Sequence, residues 1–372
     1  MITLNDMSPP ITGHTPMDLG AHLYKMTFFA KCLTVAEMKL TIALLFTFVA
    51  VAIGGTSLDF STAKGWMVPQ IDGGFKWMSR EQYDMEVASI EPRALQVKFY
   101  LYTKSNPTTP KQITVNDANA LAASYFNKNN PTRFVIHGWN NNYQSDVNVD
   151  VRSALLASGS YNVFCVDWSS SAQTINYASA RYDVPSVGQL VANFIDFLNE
   201  KGGMSFSTLG LIGHSLGAHV SGYAGKLVKR GKVHTIVGLD PALPLFSYSD
   251  CSTRLCTTDA SYVESIQTNG GTLGFLEPIG KGAFYPNGGK TQPGCGVDLT
   301  GSCAHSRSYI YYSEALRKND FPCMKCGTYT AAVGNQCGST YSSVRMGAPS
   351  NYGVAGYFYV PVNSAAPYGK GS

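Results

Sequence analysis

The hydrophobic pattern changes period repeatedly along this chain. Val97–Tyr102, Phe134–His137 and Val163–Trp168 alternate or run apolar as strands do. Val187–Leu198 carries apolar residues at helical spacing and is closed by Gly202 and Gly203. The apolar run Thr208–Ile212 predicts a strand, and Ala218–Lys229 a helix soon after it. Thr235–Leu239 and Tyr262–Gln267 read as strands, Ser306–Arg317 as a helix and Gly356–Val360 as a late strand. Strands alternating with helices predict an α/β domain, with a mostly parallel sheet covered by helices on both faces. No internal repeat interrupts the pattern.

Between the strand Thr208–Ile212 and its helix stand Gly213, His214, Ser215, Leu216 and Gly217. A serine in G-x-S-x-G at a strand-to-helix turn is the nucleophile elbow of α/β-hydrolases. The glycines leave room around a strained turn, and the helix start aims free backbone N–H groups at the reacting centre. A serine hydroxyl is a weak nucleophile and needs a base, which in turn needs an orienting carboxylate.

In this fold the order along the chain is serine, acid, histidine. Of the seven histidines only His305 lies beyond an acid that follows the serine's helix. Asp240, Asp250, Asp259 and Asp298 lie between Ser215 and His305. Asp240 ends the apolar strand Thr235–Leu239 and is followed by Pro241, at the sheet end where such folds keep their chemistry. Asp250, Asp259 and Asp298 sit in or beside cysteine loops and suit solvated turns. The expected triad is therefore Ser215, Asp240 and His305. For the oxyanion hole, one backbone donor is expected from Leu216, after the nucleophile. The other is expected from Trp139, after the strand Arg133–His137 and Gly138.

Several segments together resemble the pancreatic lipase family, and within it the insect lipase and phospholipase A1 branch. They are Arg133–Trp139, Ile212–His219, Gly238–Ala242, Tyr285–Gly289 with Gln292–Cys295, and Cys303–Ser308. The likeness runs from about Gly65 to the C-terminus. It implies an α/β-hydrolase fold and the same triad and oxyanion pair. The larger members carry a C-terminal β-sandwich domain, for which this chain ends too soon. Cys251–Cys256 and Cys295–Cys303 would close small loops, and Cys326–Cys337 matches a family bridge. Cys165 reads as a free core thiol, and Cys323 has no evident partner.

The resemblance also makes Gly296–Ser302 the lid, only seven residues long, and the loop Gly270–Phe284 is short as well. Short loops leave an open, wetter cleft, which in this family accompanies phospholipase A1 activity. A triacylglycerol or galactolipid lipase is the alternative, and a non-catalytic lipid carrier or yolk-type protein is disfavoured by the intact triad. Two calcium ligands of some members fall at Cys251 and Cys256. Asp259 matches a remaining one, but a single carboxylate does not hold calcium, so no metal or other cofactor is expected.

Composition narrows the setting. The chain has 372 residues, 44% of them hydrophobic, enough for one large core. A formal charge of +4 with scattered Lys and Arg gives no nucleic-acid footprint. Met38 and Lys39 precede the apolar run Leu40–Ile53 and then Gly54 and Gly55. This predicts a secretory signal peptide over residues 38–55, too short to span a bilayer comfortably. Residues 1–37 are then an upstream extension, with Met38 as the working start. The other reading is a signal anchor with a cytoplasmic tail. Residues 56–65 read as a linker or propeptide, and 66–372 as one hydrolase domain. The expectation is a secreted protein meeting phospholipid or acylglycerol at lipid–water interfaces, without stable membrane insertion. Eight of the nine cysteines follow the leader, in keeping with disulfides outside the cell. Asn106 and Asn130 are each followed by proline, so no glycosylation sequon survives.

Overall fold

The computed structural model describes residues 65–91 and 93–371. The predicted leader, the extension before it and all but the last residue of the linker lie outside the described residues.

Two strands, β1 (Gly65–Pro69) and β2 (Phe75–Ser79), form a separate antiparallel hairpin. Helix α1 (Arg80–Ala88) follows, opened by a capping box in which Ser79 and Gln82 satisfy each other's backbone N–H. The main sheet has ten strands. In chain order these begin with β3 (Lys98–Tyr102), β4 (Lys111–Ile113), β5 (Thr132–Ile136), β6 (Asn162–Asp167) and β7 (Leu209–His214). They continue with β8 (Thr235–Leu239), β9 (Tyr262–Ile266), β10 (Gly282–Pro286), β11 (Met324–Cys326) and β12 (Gly356–Val360). Their order in space is β11, β12, β10, β9, β8, β7, β5, β6, β3, β4. The pairs from β6 through β5, β7, β8, β9 and β10 to β12 are parallel, and antiparallel pairs stand at both ends.

The central strands are buried on both faces, so they read as continuous apolar runs rather than alternating ones. Helices α2 (Ala118–Ala122), α5 (Tyr177–Gly202) and α6 (Leu216–Leu227) share one core, around Val191, Phe194 and Leu211. On the other face α3 (Asp146–Ser158) and α7 (Ser302–Lys318) enclose a second, around Val151, Leu155 and Tyr312. A short α4 (Ser169–Ala172) follows β6, and α8 (Tyr329–Val333) packs near β12 in a smaller third cluster. The fold is thus α/β with a mostly parallel sheet, as the alternation predicts.

Two helices differ from expectation. The helix expected over Val187–Leu198 begins ten residues earlier, at Tyr177, and contains Pro185. The helix expected to start at Ser306 starts at Ser302. No described helix is long and apolar enough to cross a membrane.

Candidate active site

The parallel register brings the site together at one end of the sheet. Strand β7 pairs with β8, His214 lying opposite Leu239, so the residues that follow them, Ser215 and Asp240, leave the sheet side by side. Ser215 has φ 57° and ψ −125°, an unfavourable backbone for a non-glycine residue, and is the N-cap of α6. The turn closes because its neighbours lack side chains. A Cβ on Gly213 would lie 2.1 Å from the Gly217 carbonyl oxygen, and one on Gly217 would lie 2.2 Å from that of Ile136. The Ser215 N–H donates to Leu239 O, and the Ser215 carbonyl accepts from Ala242, tying the elbow to the next strand's exit.

Asp240 is fully buried. Its Oδ1 accepts from the backbone N–H groups of Thr268 (2.7 Å) and Asn269 (3.0 Å). Its Oδ2 lies 2.5 Å from Nδ1 of His305. The carboxylate is thereby held on both oxygens, and a histidine donating from Nδ1 turns its Nε2 free as an acceptor. His305 and Ser215 line the same cavity, of about 540 Å³, with Gly138 and Trp139. Gly138 passes so close that a Cβ there would lie 2.8 Å from the Ser215 Cβ. The Leu216 N–H belongs to the first turn of α6, whose donors have no partner within the helix. Two backbone segments that could hold an oxyanion therefore flank one serine.

His305 does not sit on a loop after the lid bridge, as the sequence suggests. It occupies the first turn of α7, its N–H donating to Gly301 O. The cause is Asp298, which is no idle solvated turn residue. Its carboxylate accepts from the N–H groups of Cys303 and Ala304 and so starts the helix ahead of the histidine. Asp259 also departs from the expected solvated turn. It is buried, accepts from the Cys256 N–H and pairs with Lys226 Nζ at 2.5 Å.

Three further histidines support the site, each through a contact that no local pattern signals. His137 Nδ1 donates to Gly138 O, while Trp168 donates from its backbone to Nε2 and from its indole to His137 O. That fixes the segment carrying Gly138 and Trp139. His219 Nε2 donates to Ala242 O at 2.7 Å and its Nδ1 accepts from Leu255 N. It ties the chain after Asp240 to α6, and burial pushes it down to about 3. His214 is buried against His305, ring centres 4.4 Å apart, and donates from Nε2 to the His305 carbonyl. Burial holds it well below the usual histidine range, so it stays neutral.

Cys251–Cys256, Cys295–Cys303 and Cys326–Cys337 are bonded, and Cys165 and Cys323 are buried thiols. Cys295, Asp298 and Cys303 cluster as metal ligands would, but the two sulfurs are joined to each other. At Asp259, where the resemblance puts a calcium ligand, the Lys226 ammonium lies against the carboxylate.

Comparison with known proteins identifies a family. The family model "Lipase" matches residues 74–368. Pancreatic triacylglycerol lipase of Homo sapiens is 33% identical over 284 residues, which are 70% of this chain and 60% of that protein. The Cavia porcellus enzyme is 34% identical over 66% of this chain and 57% of its own. Phospholipase A1 of Vespa crabro is 37% identical over 261 residues, 64% of this chain and 83% of that protein. The chain spans about three fifths of the length of those pancreatic lipases.

Proposed function

Starting from the lipase family, to which this chain belongs, we propose that it is a serine carboxylic-ester hydrolase of acyl lipids, and specifically a phospholipase A1. The observation that carries the reading is the Asp240–His305 pair opening onto the cavity of Ser215.

In the proposed reaction the Ser215 hydroxyl attacks the sn-1 acyl carbonyl while His305 Nε2 takes its proton. Asp240 holds the imidazole in the required tautomer and balances the charge it gains. The tetrahedral oxyanion is held by the backbone N–H groups of Leu216 and Trp139. Collapse breaks the ester C–O bond, and His305 returns the proton to the departing lysophospholipid alcohol. Water, deprotonated by His305, then attacks the acyl-enzyme and releases the fatty acid and the serine.

The phospholipid preference rests on the short lid and on what lines the cleft. Gly296–Ser302 is held at its base by Cys295–Cys303. The cavity wall mixes polar side chains, among them Gln70, Asn140, Asn141 and Ser306, with apolar ones. A polar head group fits such a wall better than a third acyl chain does. The relatives named as triacylglycerol lipases keep neutral lipid as the second reading.

The remaining parts of the proposal are a signal peptide over 38–55, secretion, and a single hydrolase domain over 66–372. Lys226 and the Cys251–Cys256 bridge pin the loop that calcium holds in some relatives, so no metal is included. Hydrolysis of a mixed-chain phosphatidylcholine beside triolein tests the substrate class. Release of the sn-1 fatty acid supports it, and preference for triolein promotes the neutral-lipid reading.

A further inference from the structure

The hairpin β1–β2 forms one wall of the catalytic cavity, and residues 65–73 of it precede the segment that matches the lipase family. Its turn is set by Gln70 donating its N–H to Gly74 O and by Gly73 at φ 87°. The tip abuts the lid segment: a Cβ on Gly73 would lie 3.0 Å from the Thr300 methyl carbon.

The two faces of the hairpin differ. Val68 and Met78 are buried in the main core, and Trp66 packs there and donates its indole N–H to Phe246 O at 3.0 Å. The other face follows from the register. Pro69 lies opposite Phe75, and two residues along each strand Met67 lies opposite Trp77. Residues two apart on a strand share a face. Pro69 and Phe75 line the cavity that holds Ser215. Met67 and Trp77 continue their row away from the turn, with half of each side chain in water. An apolar strip thus starts inside the catalytic cavity and runs out of it along one face of the hairpin.

We infer that this strip, Pro69 and Phe75 followed by Met67 and Trp77, is a subsite for an acyl chain of the lipid substrate and sets the preference for long chains. The inference rests on the ester-hydrolase reading of the cavity. A strip one side chain wide that continues from the nucleophile's cavity suits a single alkyl chain. Each step of two residues adds about 6.6 Å of apolar contact. A short acyl group ends before the Met67–Trp77 pair, whereas a long one lies over it and leaves water.

The test compares kcat/KM on nitrophenyl laurate and nitrophenyl butyrate, both as monomers, for the full chain and for Met67→Ala, Trp77→Ala. The laurate-to-butyrate ratio falls about four- to fifteenfold in the double variant, the worth of one or two methylenes returned to water. Trp77→Phe keeps most of the ratio. Met67→Ala alone reads the same ratio should the double variant fail to fold. An unchanged monomer ratio overturns the subsite, and so does an effect confined to vesicle-bound lipid, which would make the strip a membrane contact instead. Wild-type turnover of butyrate by Ser215→Ala would strike the underlying ester-hydrolase reading, and this inference with it.

Discussion

His305 Nδ1 lies 2.5 Å from Asp240 Oδ2, although 65 residues separate them. The pair exists because β8 delivers Asp240 beside the elbow and Asp298 starts α7 just ahead of His305. Asp240 is fully buried and also accepts two backbone N–H bonds, so it cannot be replaced without loss at several partners. In Asp240→Asn the amide leaves the imidazole without its acceptor and favours the wrong tautomer. The expected fall in kcat on a soluble nitrophenyl ester is about ten-thousand-fold, the size seen for the same change in a serine protease. A fall below tenfold would remove Asp240 from the triad.

The Cys295–Cys303 bridge ends two residues before His305, inside the helix that carries it. Cys295→Ser, Cys303→Ser frees the lid and loosens the first turn of α7. The expected result is turnover lowered several-fold with no gain of interfacial activation. Wild type should show a smooth rise in rate on short-chain phosphatidylcholine across its critical micelle concentration. A steep jump there in wild type counts against the open cleft.

Lys226 and Asp259 form a pair beneath the Cys251–Cys256 loop, with Lys226 also donating to Arg254 O. Asp259→Ala leaves the ammonium without its counter-charge and is expected to cost about 2–4 kcal/mol of stability. Because a side chain supplies the cation here, chelation with EDTA should leave the melting temperature of the wild-type chain unchanged. A drop on chelation would mean that a metal, not Lys226, holds this loop.

Glu264 is buried on β9, and burial pushes its carboxyl up from 4.5 to about 7. Its partners are the Tyr262 hydroxyl, the Asn351 amide and the Gly347 N–H. A raised carboxyl contributes stability that is present below the unfolded value and lost as pH rises through the folded one. The loss therefore falls between about pH 4.5 and 7. Glu264→Gln stays neutral throughout and should exceed wild type at pH 8 by about 3 kcal/mol, with little difference at pH 4. Buried His219 acts in the opposite sense in both chains and cancels from the difference. Equal pH profiles from denaturant unfolding would show that Glu264 titrates normally.

The parallel core was legible because buried strands are continuous apolar runs and the elbow punctuates them with glycine. His305 was legible because chain order excluded the other histidines, and Asp240 because it ends a buried apolar strand beside the elbow. What escaped the sequence depends on contacts across the fold. The hairpin gave no signal because apolar residues stand on both faces of its five-residue strands, Val68 and Met78 buried beside Met67 and Trp77 half in water, so no alternation shows. The early part of α5 was hidden by Pro185, which local rules treat as a breaker and tertiary packing overrides. The start of α7 at Ser302 gives no local signal because the carboxylate that caps it, Asp298, reaches forward from the lid. His137 and His219 are ordinary buried histidines locally; their work lies in the loops they bind.

Ser215→Ala removes the proposed nucleophile itself. The hydroxyl is small and nearly buried, so its loss leaves little void and the melting temperature should hold. On nitrophenyl butyrate kcat should fall at least about ten-thousand-fold while the fold is retained. A folded Ser215→Ala protein with turnover near that of wild type would contradict that role.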